Sequence, residues 1–250
     1  MLNIVYSFNR QWIFFLVIYI SRIISEPVTM DEIITVDSGD FRERFLISDE
    51  LIGNSCPDEE LKFVGVGKMR LSKAKDVIIQ QLKKKVYHEM PVFLVSVGSY
   101  HITASYNGWG EDIEENGVEL VKEGVARFEK SLKSLRKCAS KYKCKIVVCG
   151  LIQLPSEQNS DLAAKSKKIL TDHVSRLFVE CNKSIDKYNT RQGESTLVFK
   201  KFLDKGDKQR YPSSQRKIKM SRFTDEVHPK PTKATQSLLM NKAVERLRKL

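Results

Sequence analysis

Short apolar runs alternate with longer stretches of helical periodicity from Ile33 onward. The runs of strand length are Ile33–Val36, Leu61–Val66, Val92–Val97, Lys145–Leu151 and Thr196–Phe199. Strands that are covered on both faces are nearly continuous apolar runs, as in parallel sheets packed between helices. The pattern therefore predicts βαβ units and a mainly parallel sheet built from these runs.

Between the runs, apolar residues recur three and four positions apart, which predicts amphipathic helices. These stretches are Phe41–Leu51, Ser72–Lys85, Gly117–Tyr142, Leu162–Tyr188 and a last helix from Lys233 to Leu247. In the longest of them, one stripe is formed by Val118, Val121, Val125, Phe128, Leu132 and Leu135. A five-stranded sheet with intervening helices predicts an α/β protein, a three-layer α/β/α sandwich whose functional groups lie at the carboxyl ends of the strands.

The charge of the chain is strongly basic. Lys and Arg total 43 against 31 Asp and Glu, which gives a net charge of +12 over 250 residues. Such a charge favours encounters with nucleic acid, an anionic membrane or an acidic protein, but a solvated basic surface explains it equally well, and no nucleic-acid-binding signature is present. The polar, cation-rich segment Lys200–Arg222 reads as a surface loop that would make any non-specific contact with nucleic acid.

The cysteines do not have the spacing of a metal site or of a disulfide framework. They are Cys56, Cys138, Cys144, Cys149 and Cys181, an odd number without a CxxC pair. No metal or cofactor is predicted, and a reducing compartment, the cytoplasm or the nucleus, is the simpler expectation.

The first residues are compatible with two organisations. The apolar run Trp12–Ile20 follows Arg10 and is interrupted by Arg22, so it is too short for an integral membrane span. One interpretation is a signal peptide within residues 1–25, which would make the protein secreted. The other is an apolar extension, residues 1–29, on a single domain that covers residues 30–250.

Three residue types of a serine hydrolase occur in a suggestive order. Asp37 and Ser38 directly follow the predicted strand Ile33–Val36, and Asp225 and His228 share one short turn near the end of the chain. A nucleophile, a base and an orienting carboxylate are the parts of a catalytic triad. An ordinary turn before a helix, with Asp225 as a cap, is the alternative interpretation of the second pair.

The order and placement of these residues resemble the SGNH, or GDSL-type, hydrolases, whose sheet is flavodoxin-like, over nearly the whole chain. The first family block normally reads Gly-Asp-Ser and here reads Val36-Asp37-Ser38, and the fourth block, Asp-x-x-His, is intact at Asp225 and His228. The resemblance implies that Ser38 is the nucleophile, His228 the base and Asp225 the residue that orients the imidazole.

The resemblance also implies an oxyanion site, and here the sequence departs from the family. The N–H groups of Ser38 and of Gly65 or Gly67 match two donors, but the third block, Gly-x-Asn-Asp, has Tyr100 and His101 at its last two positions. Loss of one oxyanion donor costs about a hundred- to a thousandfold in rate, unless Tyr100 or His101 donates in place of asparagine.

These departures favour a degenerate SGNH-like domain, a pseudoenzyme that binds or scaffolds a protein partner. Domains of this family also occur in proteins encoded by retroelements, and such an origin is compatible with this chain. One alternative is an active serine esterase or acyl hydrolase that acts on an acyl ester through Ser38, His228 and Asp225. A second alternative is a basic regulatory protein that associates with nucleic acid.

Overall fold

Four parallel strands form the sheet in the part of the chain that the structure, a computed structural model, describes. The described residues are 42–49, 51–52, 61–65, 67–102, 112–153, 164–198 and 231–250, and they belong to one compact unit, Arg42–Leu250. The strands are β1 (Arg44–Ser48), β2 (Lys62–Gly65), β3 (Val92–Ser96) and β4 (Lys145–Val148). Their order is β2-β1-β3-β4, so β1 lies in the interior of the sheet.

Helices cover both faces of this sheet. They are α1 (Leu71–Leu82), α2 (Asp112–Tyr142), α3 (Ala164–Thr190) and α4 (Lys233–Arg248). Phe45 and Ile47 of β1 point into a core shared with α1, α2 and α3, whereas Leu46 points into a second core shared with α4. This alternation is the two-sided burial expected of a parallel sheet, and it confirms the predicted α/β/α architecture.

The predicted helix Phe41–Leu51 is wrong, because β1 forms there. Phe45, Leu46 and Ile47 are all buried and face alternate sides of the sheet, which requires an extended backbone. A short apolar run fits either periodicity, and burial on both faces selects the strand. β1 lies between β2 and β3 in the sheet. The run Ile33–Val36, which we had predicted as the first strand, lies outside the described residues.

The predicted fifth strand Thr196–Phe199 is also not observed, since residues 196–198 have no regular structure and residue 199 lies outside the described range. The outer edge of β4 is instead bonded by side-chain amides of α3 and of the turn after it. Asn189 Oδ1 accepts from the Val148 N–H at 3.0 Å, and Asn189 Nδ2 donates to the Val148 carbonyl at 2.8 Å. Because these backbone groups are already satisfied, they are not available to a fifth strand.

The apolar stripe of α2 is shifted from the predicted one at its beginning. Val118 is 47% exposed, whereas Gly117 is buried against α3. A Cβ atom at Gly117 would lie only 2.6 Å from Nε2 of His173, so the glycine allows the two helices to approach closely. Val121, Phe128, Leu132 and Leu135 are buried as predicted.

Candidate functional site

The carboxyl ends of three strands lie side by side. The register pairs Ser48 of β1 with Gly65 of β2 on one side and with Ser96 of β3 on the other. In parallel sheets of this order, ligands bind at the switch point between the first and third strands. Functional groups are therefore expected at the carboxyl ends of β1, β2 and β3.

The predicted oxyanion residues of the second and third blocks come to this edge. Gly65 is the last residue of β2, Gly67 follows it as an exposed residue, and Tyr100 follows β3 within a helical turn at residues 99–102. Lys68 Nζ lies 5.4 Å from the centroid of the Tyr100 ring, so the segments after β2 and β3 are in contact. The ring of Tyr100 packs against the core on the α4 side of the sheet.

The predicted triad is untested. Ser38, Asp225 and His228 all lie outside the described residues, as does the basic segment Lys200–Arg222. The assignment of Ser38 as nucleophile and oxyanion donor therefore stays a prediction.

A buried carboxylate that we had not predicted lies at the end of β1. Asp49 is 1% exposed, and its Oδ1 accepts a hydrogen bond from the Leu51 N–H at 3.1 Å. Its own N–H donates to the Ser96 carbonyl at 3.3 Å, which ties the ends of β1 and β3 together. The available signal was an aspartate two residues after the apolar run Phe45–Ile47, but a helix was predicted for Phe41–Leu51.

The end of β3 requires a glycine. Gly98 has φ +113°, a conformation that side-chain-bearing residues rarely adopt. A Cβ atom at Gly98 would lie 3.7 Å from the Leu71 Cβ and 3.9 Å from the Leu71 backbone nitrogen, so the end of β3 abuts the beginning of α1. The next residue, Ser99, accepts a hydrogen bond from the Ile152 N–H at 3.0 Å and so has a structural role.

A cavity of about 670 Å³ opens beside Gly98, between β3, α1 and α2. His101 lines it and is half-buried. Burial lowers the pKa of His101, and the nearby guanidinium groups of Arg70 and Arg127 lower that pKa further. His101 is therefore mainly neutral at neutral pH. Arg70 and Arg127 are distant in sequence, so no motif could have predicted that they meet at this histidine.

The described cysteines are not placed to act as nucleophiles. Cys138, Cys144, Cys149 and Cys181 are free and buried. Burial raises the pKa of Cys144 and that of Cys149 to about 12, so these thiols stay protonated. Over the same residues, no cluster of three or more His, Cys, Asp or Glu side chains could hold a metal ion.

Within the described ranges, no helix has the length and apolarity needed to cross a membrane. No family model matches this chain, and no curated protein matches it. Among solved structures, the chain is similar to a member of the lipolytic protein G-D-S-L family from Veillonella parvula, with 13% sequence identity and a TM-score of 0.46. The similarity covers 84% of this chain and 100% of that protein. Identity of this degree transfers no catalytic residue to this chain.

Proposed function

We propose that this chain is an SGNH-like domain that has lost efficient hydrolysis and works by binding a partner or ligand. The observation that carries the proposal is the position of β1 in the interior of the sheet, together with the sequence at its end, where Ser48 is the last residue of the strand and Asp49 and Glu50 follow it. In the SGNH pattern, the Gly-Asp-Ser block follows the first strand. When that block is aligned with the end of β1, serine replaces the glycine and glutamate replaces the nucleophilic serine.

This alignment competes with the one based on Ser38. Within the described residues, the interior position between β2 and β3 is held by β1. Asp49 comes directly after β1, and its N–H donates to the Ser96 carbonyl of β3. On this alignment, Asp49 corresponds to the Asp of the family block, and Glu50 stands at the position of the nucleophilic serine.

The third block supports the same conclusion. After Gly98, the positions of the family's asparagine and aspartate hold Tyr100 and His101. The Tyr100 ring packs on the α4 side of the sheet, whereas His101 lines the cavity next to α1 and α2. Two altered blocks at one edge of the sheet favour loss of the oxyanion machinery together with the nucleophile.

Labelling of the full chain by a fluorophosphonate probe tests the proposal. We expect no labelling of the folded protein, because no activated serine would be present. Labelling that disappears both in Ser38→Ala and in His228→Ala would overturn the proposal and make the esterase alternative correct.

A restored variant sharpens this test. Ser48→Gly, Glu50→Ser and Tyr100→Asn together rebuild the family residues at the end of β1 and after β3. Labelling of this variant at residue 50, at least about tenfold above the parent, would support the alignment with β1. Circular dichroism of both proteins controls for folding.

A further inference from the structure

We propose that the cavity between β3, α1 and α2 binds a small phosphate monoester that carries an apolar group. We call it the basic cavity and define it by Arg70, Lys75, His101, Arg127 and Lys130. The inference rests on these residues and not on the alignment of the Gly-Asp-Ser block. It therefore holds whether or not the chain hydrolyses esters.

The charge of the lining is one-sided, since the described residues that form it include four basic side chains and no carboxylate. Two of the cations have exposed partners: Arg127 pairs with Glu123 at 2.7 Å, and Lys75 lies 3.6 Å from Asp76. Exposed pairs of this kind are weak and can exchange for a ligand. Arg70 and Lys130 form no ion pair among the described residues. The cavity consequently has a surplus of positive charge to offer an anion.

Hydrogen-bond donors accompany this charge. Helix α1 begins at the cavity, with Arg70 as its N-cap, no side-chain cap and no acidic residue in its first turn. The Lys73 N–H is bonded to the Arg70 carbonyl, but the first two amides of a helix have no carbonyl partner within it. Hydroxyl groups of Ser72 and Ser134 also line the space, as does that of Ser131, which donates to the Arg127 carbonyl at 3.2 Å. Free amides, hydroxyls and guanidinium groups are the donors that phosphate binding uses.

The size and the remaining walls of the cavity indicate the rest of the ligand. A volume of about 670 Å³ falls within the range of small-molecule sites, roughly 300–1,000 Å³, and exceeds what one phosphate needs. Leu71, Phe128 and Leu177 contribute buried apolar walls. A phosphate bound by the cations would therefore leave an apolar space for an attached organic group.

The environment of His101 supports the same ligand. Arg70 and Lys75 face the cavity from α1, and Arg127 and Lys130 face it from α2, with Glu123 bonded to Arg127. Burial lowers the pKa of His101, and the guanidinium groups of Arg70 and Arg127 lower it further. A phosphate dianion among these cations would offset their effect and favour the protonated imidazole. Binding of the dianion should thus take up a proton near neutral pH, above the second pKa of the phosphate, which is about 6.

Calorimetric titration of the full chain with phenyl phosphate tests the inference. We expect phenyl phosphate to bind about tenfold more tightly than inorganic phosphate, because burial of the ring adds affinity. Benzoate, with a single charge, should bind at least about tenfold more weakly than phenyl phosphate. Equal binding of benzoate would overturn the assignment of a phosphate group.

A charge-matched pair of variants distinguishes a built site from long-range attraction. Arg70→Gln with Arg127→Gln should weaken phenyl phosphate binding at least about tenfold, since each charged hydrogen bond contributes that much. Lys133→Gln with Lys137→Gln removes the same charge from exposed positions of α2 and should change affinity less than about twofold. Equal losses in both variants, no binding at about 10 mM ligand, or binding only to vesicles that contain phosphatidylserine would each overturn the inference.

Discussion

Polar side chains have opposite roles at two places in this fold, the basic cavity and the outer edge of β4. We call the second place the β4 edge and define it by β4 together with Asn182, Asn189 and Gln192. There, side-chain amides bond the backbone: the buried Asn182 accepts at Oδ1 from the Leu151 N–H at 2.7 Å, and the part-buried Gln192 donates from Nε2 to the Ile146 carbonyl at 2.9 Å. At the basic cavity, cations face open space.

This difference distinguishes the amides at the β4 edge, which stabilise the fold, from the cations at the basic cavity, which are available for binding. A buried amide that satisfies backbone atoms is explained by the fold itself, because an unsatisfied backbone group would destabilise the protein. Exposed cations around a cavity stabilise nothing comparable in the chain, so their convergence is better explained by a ligand. Substitutions at the β4 edge should therefore lower stability, whereas substitutions at the basic cavity should weaken ligand binding.

Removal of an amide at the β4 edge should have the largest effect on stability. Asn189→Ala eliminates two bonds to Val148 and one to the Thr196 hydroxyl at 3.0 Å, and it leaves buried backbone groups unsatisfied. We expect a loss of about 2–4 kcal/mol in the free energy of unfolding, measured by urea denaturation. Asn116→Ala, at an exposed position of α2, is the control and should change stability by less than about 0.5 kcal/mol. Equal effects would contradict the structural role of Asn189.

A second test at the β4 edge compares a part-buried ion pair with an exposed one. Glu194 accepts from Arg246 Nη2 of α4 at 2.7 Å and also bonds Lys145 of β4. Glu194→Gln should destabilise the protein by about 1–3 kcal/mol, because two poorly solvated cations lose their partner. The side chain of Glu194 is 16% exposed, whereas Glu180, which pairs with Lys183, is 39% exposed. Glu180→Gln should therefore lower the free energy of unfolding by at most about 0.5 kcal/mol. Similar losses in both variants would contradict the expected difference between a part-buried and an exposed ion pair.

Substitutions at the basic cavity should leave stability almost unchanged. Arg70→Gln with Arg127→Gln removes exposed cations and the exposed pair with Glu123. We expect the free energy of unfolding to change by less than about 0.5 kcal/mol, and repulsion among cations could make the change favourable. A loss above about 2 kcal/mol in urea denaturation would show that these arginines serve the fold and would weaken the comparison.

The smallest effect should be a pH dependence that originates at His101. Its pKa is lower in the folded protein than in the unfolded chain, so the unfolded state binds more protons between the two values. Stability should fall as the pH drops from about 7.5 through about 6.5, the ordinary pKa of histidine, and the decrease should end below the folded pKa. Urea midpoints for the parent and for His101→Gln measure this slope, which the variant should lose. Phenyl phosphate should reduce the dependence of stability on pH in the parent. An unchanged dependence would contradict a phosphate bound beside His101.

The parallel sheet and the helices were largely predictable, because apolar periodicity is written in the sequence. Strands β2, β3 and β4 and the helix ending at Tyr142 fall where the pattern places them. The failure at Phe41–Leu51 has a physical origin: Phe45-Leu46-Ile47 is short, and its alternation between two cores becomes visible only when the sheet is assembled. Because of this misassignment, the sequence did not predict the buried Asp49 that follows β1.

The basic cavity could not be predicted. Arg70 precedes α1, His101 follows β3 and Arg127 lies within α2, so only the packing of these elements brings the side chains together. That residues 196–198 form no fifth strand could not be predicted either, because the sequence does not reveal that Asn189 would bond the backbone of β4. Local sequence patterns determine the helices and strands. Long-range side-chain contacts determine how the edge of the sheet is bonded and which residues meet in the cavity.

The reactivity of the buried cysteine thiols can report local unfolding of the chain. Cys138, Cys144 and Cys181 lie in the core beneath α1, α2 and α3, and Cys149 lies in the core beneath α4. A thiol must be both exposed and ionised before iodoacetamide reacts with it, and burial opposes both conditions here. Alkylation followed by peptide mass mapping would therefore record which of the two cores opens first, without any engineered label.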